Sequence, residues 1–252
     1  MFYLIQEACF KSFHERQLLV CLDKLELEYE FVKVFPLIDN IEFQTTRKDV
    51  MCFGSVKMSH LAKKYNWQPG SFYNENHDYQ IYSQYYKDEL LNYDSIILNV
   101  DEKFDFPDDL FFVRPCLDSK LFTGTVFNMT AWENLVEEIK ANYSHRLSEK
   151  IQVCRMKDIF REIRCWVVKG KVVTASQYKL GDRVVYKETN EPMIIDYVTK
   201  MAAIYSPAEA FVMDVCLTDD GLKIVEINNL NCAGFYDCDI QKLLISLEEN
   251  FN

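Results

Sequence analysis

Glycine and proline are scarce in this chain, at 7 and 6 of 252 residues. Segments that resist folding are rich in both, so this scarcity, with 49% hydrophobic residues, points to an ordered protein. A chain of this length buries a substantial core, as one domain or as two or three small lobes. No G-x-x-x-x-G-K-S/T run occurs, which excludes a P-loop. Histidine is limited to four residues, and the nine cysteines form no C-x-x-C pair. A structural zinc site is therefore not expected. No apolar run approaches the length that spans a bilayer, and the first residues lack the charged and apolar regions of a signal peptide. There is also no long basic run, and the net charge is -11, so the long-range field repels nucleic acid. An odd number of cysteines, several of them in apolar strand-like runs, reads as small hydrophobes in a reducing, cytoplasmic setting.

Hydrophobic periodicity predicts a strand at residues 2–5 and a helix over Ser12–Lys24, with Leu18, Leu19, Cys21, Leu22 and Leu25 inward. It predicts a second strand at Tyr29–Phe35, ended by Pro36. Val50–Phe53 is a further apolar run, and Gly54-Ser55 opens a helix from Val56 to Tyr65. This order suggests a small open α/β lobe. Asp78–Asn92 reads as helical, its tyrosines serving packing. Strands follow at Phe111–Pro115 and Thr125–Phe127. The next helix runs to about Tyr143, with Thr130 as N-cap and Glu133 completing a capping box. From Ile151 the chain turns strand-rich: Ile151–Met156, Ile163–Val168 and Lys171–Ala175, the last two joined by the hairpin turn Lys169-Gly170. Helices are expected at Pro192–Tyr205 and Asp239–Glu248. The fold class is α+β with an α/β N-terminal lobe, divided as residues 1–77, 78–150 and 151–252.

The most informative feature is a pair of acidic strands, Phe211–Val215 and Lys223–Asn228, separated by the turn-forming Thr218-Asp219-Asp220-Gly221. Strand side chains alternate, so Glu226 and Asn228 share a face. With the turn centred near Asp220, the partner of Glu226 is Asp214, and directly paired residues point the same way. Two carboxylates and an amide oxygen then gather with no counter-charge in the hairpin. Such a set invites a small divalent cation, magnesium carried by a nucleotide phosphate. The plainer alternative is a solvated hairpin face with unrelated acids.

Basic residues recur at fitting places. Arg114 ends an apolar strand just before a proline, and Lys120 follows in a loop with Ser119 and Gly124. Together they can grip phosphate oxygens, although each alone is an ordinary solvated charge. Glu162 and Arg164 alternate and share a face, leaving Cys165 for the core. They form either an intrastrand ion pair or an arginine steadied by its neighbour and aimed at an anion. Tyr178 and Lys179 line the same cavity.

The ordered set Phe112-Val113-Arg114-Pro115, Asp118–Gly124, Glu162–Val168 before a Lys-Gly hairpin, and Val225-Glu226-Ile227-Asn228 through Ala233–Tyr236 resembles the ATP-grasp superfamily. It looks most like the small ATP-grasp proteins common in phages, viruses and some bacteria, over residues 80–250. The resemblance implies ATP held between two α+β lobes, with Asp214, Glu226 and Asn228 as magnesium ligands. Arg114 takes a phosphate-binding place often filled by lysine, and Ser119 and Lys120 lie in the loop over the phosphates. Ile151–Lys157 becomes the hinge that meets adenine, with Cys154, Met156 and Lys157 as its contacts. Glu162 and Arg164 complete the nucleotide site. Lys120 and Arg164 act in catalysis, Arg164 by steadying the transferred phosphoryl group or acyl phosphate. The hinge run Val153–Lys157 lacks the usual acidic residue, and Lys87 and Lys103 both fit the upstream phosphate-binding lysine.

The activity implied is carboxylate–amine ligation through an acyl phosphate. A phosphotransferase or a non-catalytic nucleotide-binding module on the same fold remains the alternative. The expected substrate is a small molecule, an amino acid or a peptide, with no nucleic acid or membrane partner. Its contact would be the polar loop Asn229–Asp237, which otherwise is a turn into the last helix.

Overall fold

Alternating burial along the first strand sets the layout of the N-terminal lobe. In β1 (Phe2–Gln6), Tyr3 and Ile5 turn to one core and Leu4 to another. The computed structural model describes residues 1–35, 37–117 and 121–252. β1 lies between β2 (Tyr29–Val32) and β3 (Val50–Phe53), parallel to both. β2 stops short of the expected Phe35 because β1 offers no partner beyond Gln6, which pairs with Val32. Helix α1 (Ser12–Lys24) covers one face through Leu18 and Leu22; α2 (Val56–Lys64) covers the other through Met58, Leu61 and Ala62.

The central layer is an antiparallel sheet of β4 (Ile96–Asn99), β5 (Phe111–Pro115), β6 (Thr125–Phe127) and β7 (Lys150–Arg155), ordered β4-β7-β5-β6. It is backed by α4 (Met129–Tyr143), which buries Trp132, Val136 and Ile139 as expected. The N-cap of α4 is not Thr130. Asn128 has the extended conformation and accepts from the Ala131 amide at 2.8 Å, so the helix begins earlier and the Thr130/Glu133 pattern falls inside it. Ahead of this sheet, α3 (Tyr79–Tyr86) is shorter than the expected helix. It ends where Lys87 takes a φ of 48°.

The third sheet is antiparallel, ordered β10-β9-β8-β11-β12. β8 (Arg161–Val168) and β9 (Lys171–Leu180) are joined by the expected turn, with Lys169 and Gly170 both at positive φ. Ile163, Cys165 and Val167 face a core closed by α3 and α5 (Pro192–Ile204). Trp166 and Val168 face the N-terminal lobe and α6 (Ile240–Phe251). Leu243, Leu244 and Leu247 of α6 are fully buried there, each worth about 1.5–3 kcal/mol relative to exposure. The edge strand β10 (Arg183–Glu188) and strand β4 were not expected from the sequence. β10 is exposed along most of its length, so it carries no burial alternation to read.

Candidate active site

The hairpin of β11 (Ala210–Thr218) and β12 (Gly221–Asn228) has the expected register, with Asp214 opposite Glu226 and a β-bulge immediately after. The Asn228 amide nitrogen donates to Glu226 Oε1 at 2.9 Å and to Asp214 Oδ2 at 3.3 Å. All three side chains therefore converge. Asp214, on an inner strand, is 1% exposed, whereas the Glu226 side chain, on the edge strand, is 22% exposed.

Counter-charges missing from the hairpin arrive from neighbouring strands. Arg164 of β8 lies across from Asp214 and grips it with Nε and Nη2, at 2.8 and 2.7 Å. Arg114 reaches from β5 in the central sheet to pair with Glu226. These contacts split the two acids. Burial pushes the Asp214 carboxyl up, Arg164 opposes that, and the negative Glu226 nearby adds to it, leaving it at about 6. Burial would also raise Glu226, but Arg114, the Asn228 amide and Arg164 outweigh it and hold this carboxyl down at about 2.

Arg164 and Glu162 do not pair with each other. Glu162 instead accepts from the Tyr178 hydroxyl at 2.7 Å and meets Lys179 Nζ at 3.0 Å. Arg164 lies over the Tyr236 ring, with Cζ 4.7 Å from its centroid, and donates from Nη1 to the Gly234 carbonyl at 3.3 Å. Tyr178 stacks on Tyr236 at 4.9 Å.

A cavity of about 1090 Å³ opens between the central and C-terminal sheets. Arg114, Met156, Lys157, Glu162, Arg164, Tyr178, Lys179, Glu226 and Asn228 all line it, as does Gly124. Asp214 sits directly behind, touching Arg164 and Asn228. Cys154, expected as a hinge contact, does not line the cavity. β7 is an inner strand, so Cys154 is paired with Phe112 and buried. The chain leaves the sheet only after Arg155, and the unpaired Met156–Ile159 segment forms the wall. Neither Lys87 nor Lys103 lines the cavity. Ser119 and Lys120 lie outside the described residues.

The polar loop after β12 divides between two tasks. Asn229 and Asn231 are buried, and Asn231 bonds the Phe72 amide and the Cys52 carbonyl, tying the loop to the N-terminal lobe. Cys232, Ala233, Gly234 and Tyr236 line the cavity. Sequence reasoning missed the apolar lining from Phe112, Phe122 and Phe160. In sequence these are ordinary strand or loop apolar residues, and nothing in their spacing separates cavity-facing from core-facing.

Among the described residues no cluster of three or more His, Cys, Asp or Glu side chains suits a metal. The donor set at the hairpin depends on the Asn228 amide as its third member. Two carboxylates and an amide are hard oxygen donors, a composition that fits magnesium and not zinc.

Three stacked layers, with an antiparallel sheet on either side of a cleft that gathers these acids and arginines, define a protein of the ATP-grasp fold. Residues 45–247 match a family of the ATP-grasp domain, the third family of its clade, and the chain belongs to that family. No curated protein matches it. The fold resembles D-alanine–D-alanine ligase from Bacillus anthracis complexed with ATP, with a TM-score of 0.64, 15% identity and 99% of each chain covered. It also resembles the ATP-grasp ligase PsnB complexed with a minimal precursor, with a TM-score of 0.58, 12% identity and 98% of each chain covered. For an L-amino acid ligase from Bacillus licheniformis the TM-score is 0.62 at 12% identity, covering 100% of this chain and 75% of that one. No helix among the described residues is long and apolar enough to cross a membrane.

Proposed function

We propose that this chain is an ATP- and magnesium-dependent ligase that joins a carboxylate to an amine through an acyl phosphate, its substrates being amino acids, peptides or similar small molecules. The observation that carries this reading is the convergence of Asp214, Glu226 and Asn228 beside Arg114 and Arg164 on one cavity wall. Nucleotide would lie between a central lobe (78–150) and a C-terminal lobe (151–252), with residues 1–77 ahead of them; β7 completes the central sheet from across that boundary. Met156 and Lys157 would meet the base, and Ser119 and Lys120 would cover the phosphates.

Magnesium, held by Asp214, Glu226 and Asn228, would supply charge neutralisation of the terminal phosphates. Arg114 would bind a phosphate oxygen from the central lobe. Arg164, fixed by Asp214 and Tyr236, would face the transferred group as a preorganised positive charge. A carboxylate oxygen attacks the γ-phosphorus and ADP leaves. The amine then attacks the acyl carbon, phosphate leaves, and the nitrogen gives up its proton. No side chain takes a covalent part; the protein contributes alignment and electrostatics.

Glu226→Gln tests this reading. Calorimetry with a non-hydrolysable ATP analogue should show magnesium-dependent binding in the parent protein and its loss in the variant. ADP release with an amino-acid panel, read with product mass, should give an amide. A phosphorylated acceptor would assign a phosphotransferase instead. Binding without turnover would indicate a non-catalytic module, and no binding at all would refute the nucleotide reading.

A further inference from the structure

The N-terminal lobe reaches the candidate site through one side chain of α1. His14 is 4% exposed, and among the described residues its imidazole makes ring contacts instead of hydrogen bonds. It meets Tyr236 edge-on at 5.8 Å and Tyr186 at 6.1 Å. A methyl group built on Gly234 would lie 3.3 Å from His14 Nδ1, 3.4 Å from its Cε1 and 4.0 Å from Arg164 Nη1. Gly234 does not adopt a left-handed conformation. What calls for glycine there is the close approach of the imidazole.

The two residues that His14 presses upon are the two that hold Arg164 from outside its ion pair. Gly234 accepts from Nη1, and the Tyr236 ring lies beneath the guanidinium. The Asp214 carboxylate fixes one edge of the guanidinium but leaves it free to pivot about that edge. The Gly234 carbonyl and the Tyr236 face remove that freedom.

We propose that His14 is a positioning residue, a brace from the N-terminal lobe that holds Gly234 and Tyr236 in place and so fixes the plane of Arg164. Its consequence for turnover rests on the ligase reading of the same site; the brace itself rests on geometry alone. A displacement of about 1 Å in a group facing the reacting atoms can lower the rate by about a hundredfold, so a contact remote from the cavity can control turnover without touching substrate.

The test uses His14→Ala, Gly234→Ala and the double variant in the full chain. The Arg164 Nε–H resonance, assigned by its loss in Arg164→Lys, reports guanidinium restraint directly. Each single change should raise its exchange with water by about tenfold or more. The double variant should fall well below the product of the two, because the alanine methyl enters space the imidazole has left. His14→Leu keeps most of the bulk, and it should hold exchange within about twofold of the parent if packing is the mechanism. Unchanged exchange in His14→Ala would overturn the brace, as would multiplying single effects or loosening in His14→Leu. Calorimetry with the magnesium-bound ATP analogue separates the two readings. A parent protein that binds no nucleotide refutes the ligase while leaving the resonance to judge the brace, and binding with an unmoved Arg164 signal refutes the brace alone.

Discussion

Replacing Asp214 should destabilise the fold far more than replacing Glu226, although both belong to the same candidate metal set. The Asp214 carboxylate is 1% exposed and bonded twice by Arg164, whose side chain is itself only 10% exposed. Removing it leaves a guanidinium buried without its counter-charge, at a cost of about 3–5 kcal/mol. For a chain of this size each kcal/mol moves the melting temperature by about 2–4 °C, so Asp214→Ala should melt about 6–20 °C lower. Glu226 and Arg114 are each about one-fifth exposed, and solvent can take up either charge, so Glu226→Gln should cost about 1 kcal/mol or less. The double change Arg164→Met with Asp214→Leu removes both charges and should recover most of the loss. Thermal melts followed by circular dichroism, with urea titrations, measure all four proteins. An Asp214→Ala variant melting within about 2 °C of the parent, or a double variant worse than either single, would refute the reasoning. The ordering also decides which variant tests function: lost activity in an Asp214 variant mixes site chemistry with a weakened core, whereas Glu226→Gln keeps them apart.

Two further outcomes follow from buried polar groups. Asn231→Ala strips partners from the Phe72 amide and the Cys52 carbonyl, both inside the protein, and should cost about 2–5 kcal/mol in urea denaturation; a loss under about 1 kcal/mol would mean the loop does not anchor the N-terminal lobe. His14 has its pKa lowered by burial, then by the cationic neighbours Lys11 and Arg164, while the rings of Tyr186 and Tyr236 face it. The unfolded chain therefore binds a proton near pH 6.5 that the folded one refuses, so stability is full above that value and falls as the pH drops through it. His14→Asn should flatten this part of the stability–pH curve, and an unchanged slope would show that the imidazole is not held neutral.

The metal hairpin was legible because two local rules suffice: period-two alternation and a turn whose position sets the register. Asp214, Glu226 and Asn228 needed no knowledge of the rest of the chain. The counter-ions of those acids were less so. Arg114 and Arg164 stood out as basic residues in strands, but their partners are fixed by sheet order, and neither β5 facing the cleft nor β8 beside β11 can be read from local sequence. The Glu162–Arg164 pair failed to form for the same reason, since β9 brings Tyr178 and Lys179 closer to Glu162. Cys154 was misplaced by one local step. It falls in a hinge-like stretch, yet β4 and β5 flank β7 and hold Cys154 inside the sheet. His14 gave no signal at all, because its role arises only where α1 meets the loop after β12.

The charge pattern of the cavity answers an apparent objection to nucleotide binding by a chain of net charge -11. Charges spread over the surface are screened within about 8–10 Å at ordinary ionic strength, so the global excess of acids falls off quickly. Inside the cleft the local set counts, and Arg114, Arg155, Lys157, Arg164 and Lys179 all line it. Each already has an acid partner, in Glu226, Asp108, Asp94, Asp214 and Glu162 respectively. An anion entering such a cleft does not meet bare positive charge; it competes for cations with carboxylates. At Glu226 the competition resolves itself on the proposed reading, because a phosphate drawing on Arg114 leaves the carboxylate for the cation that the phosphate brings. Nucleotide and metal would therefore favour each other's binding, and neither alone would bind as tightly as the two together.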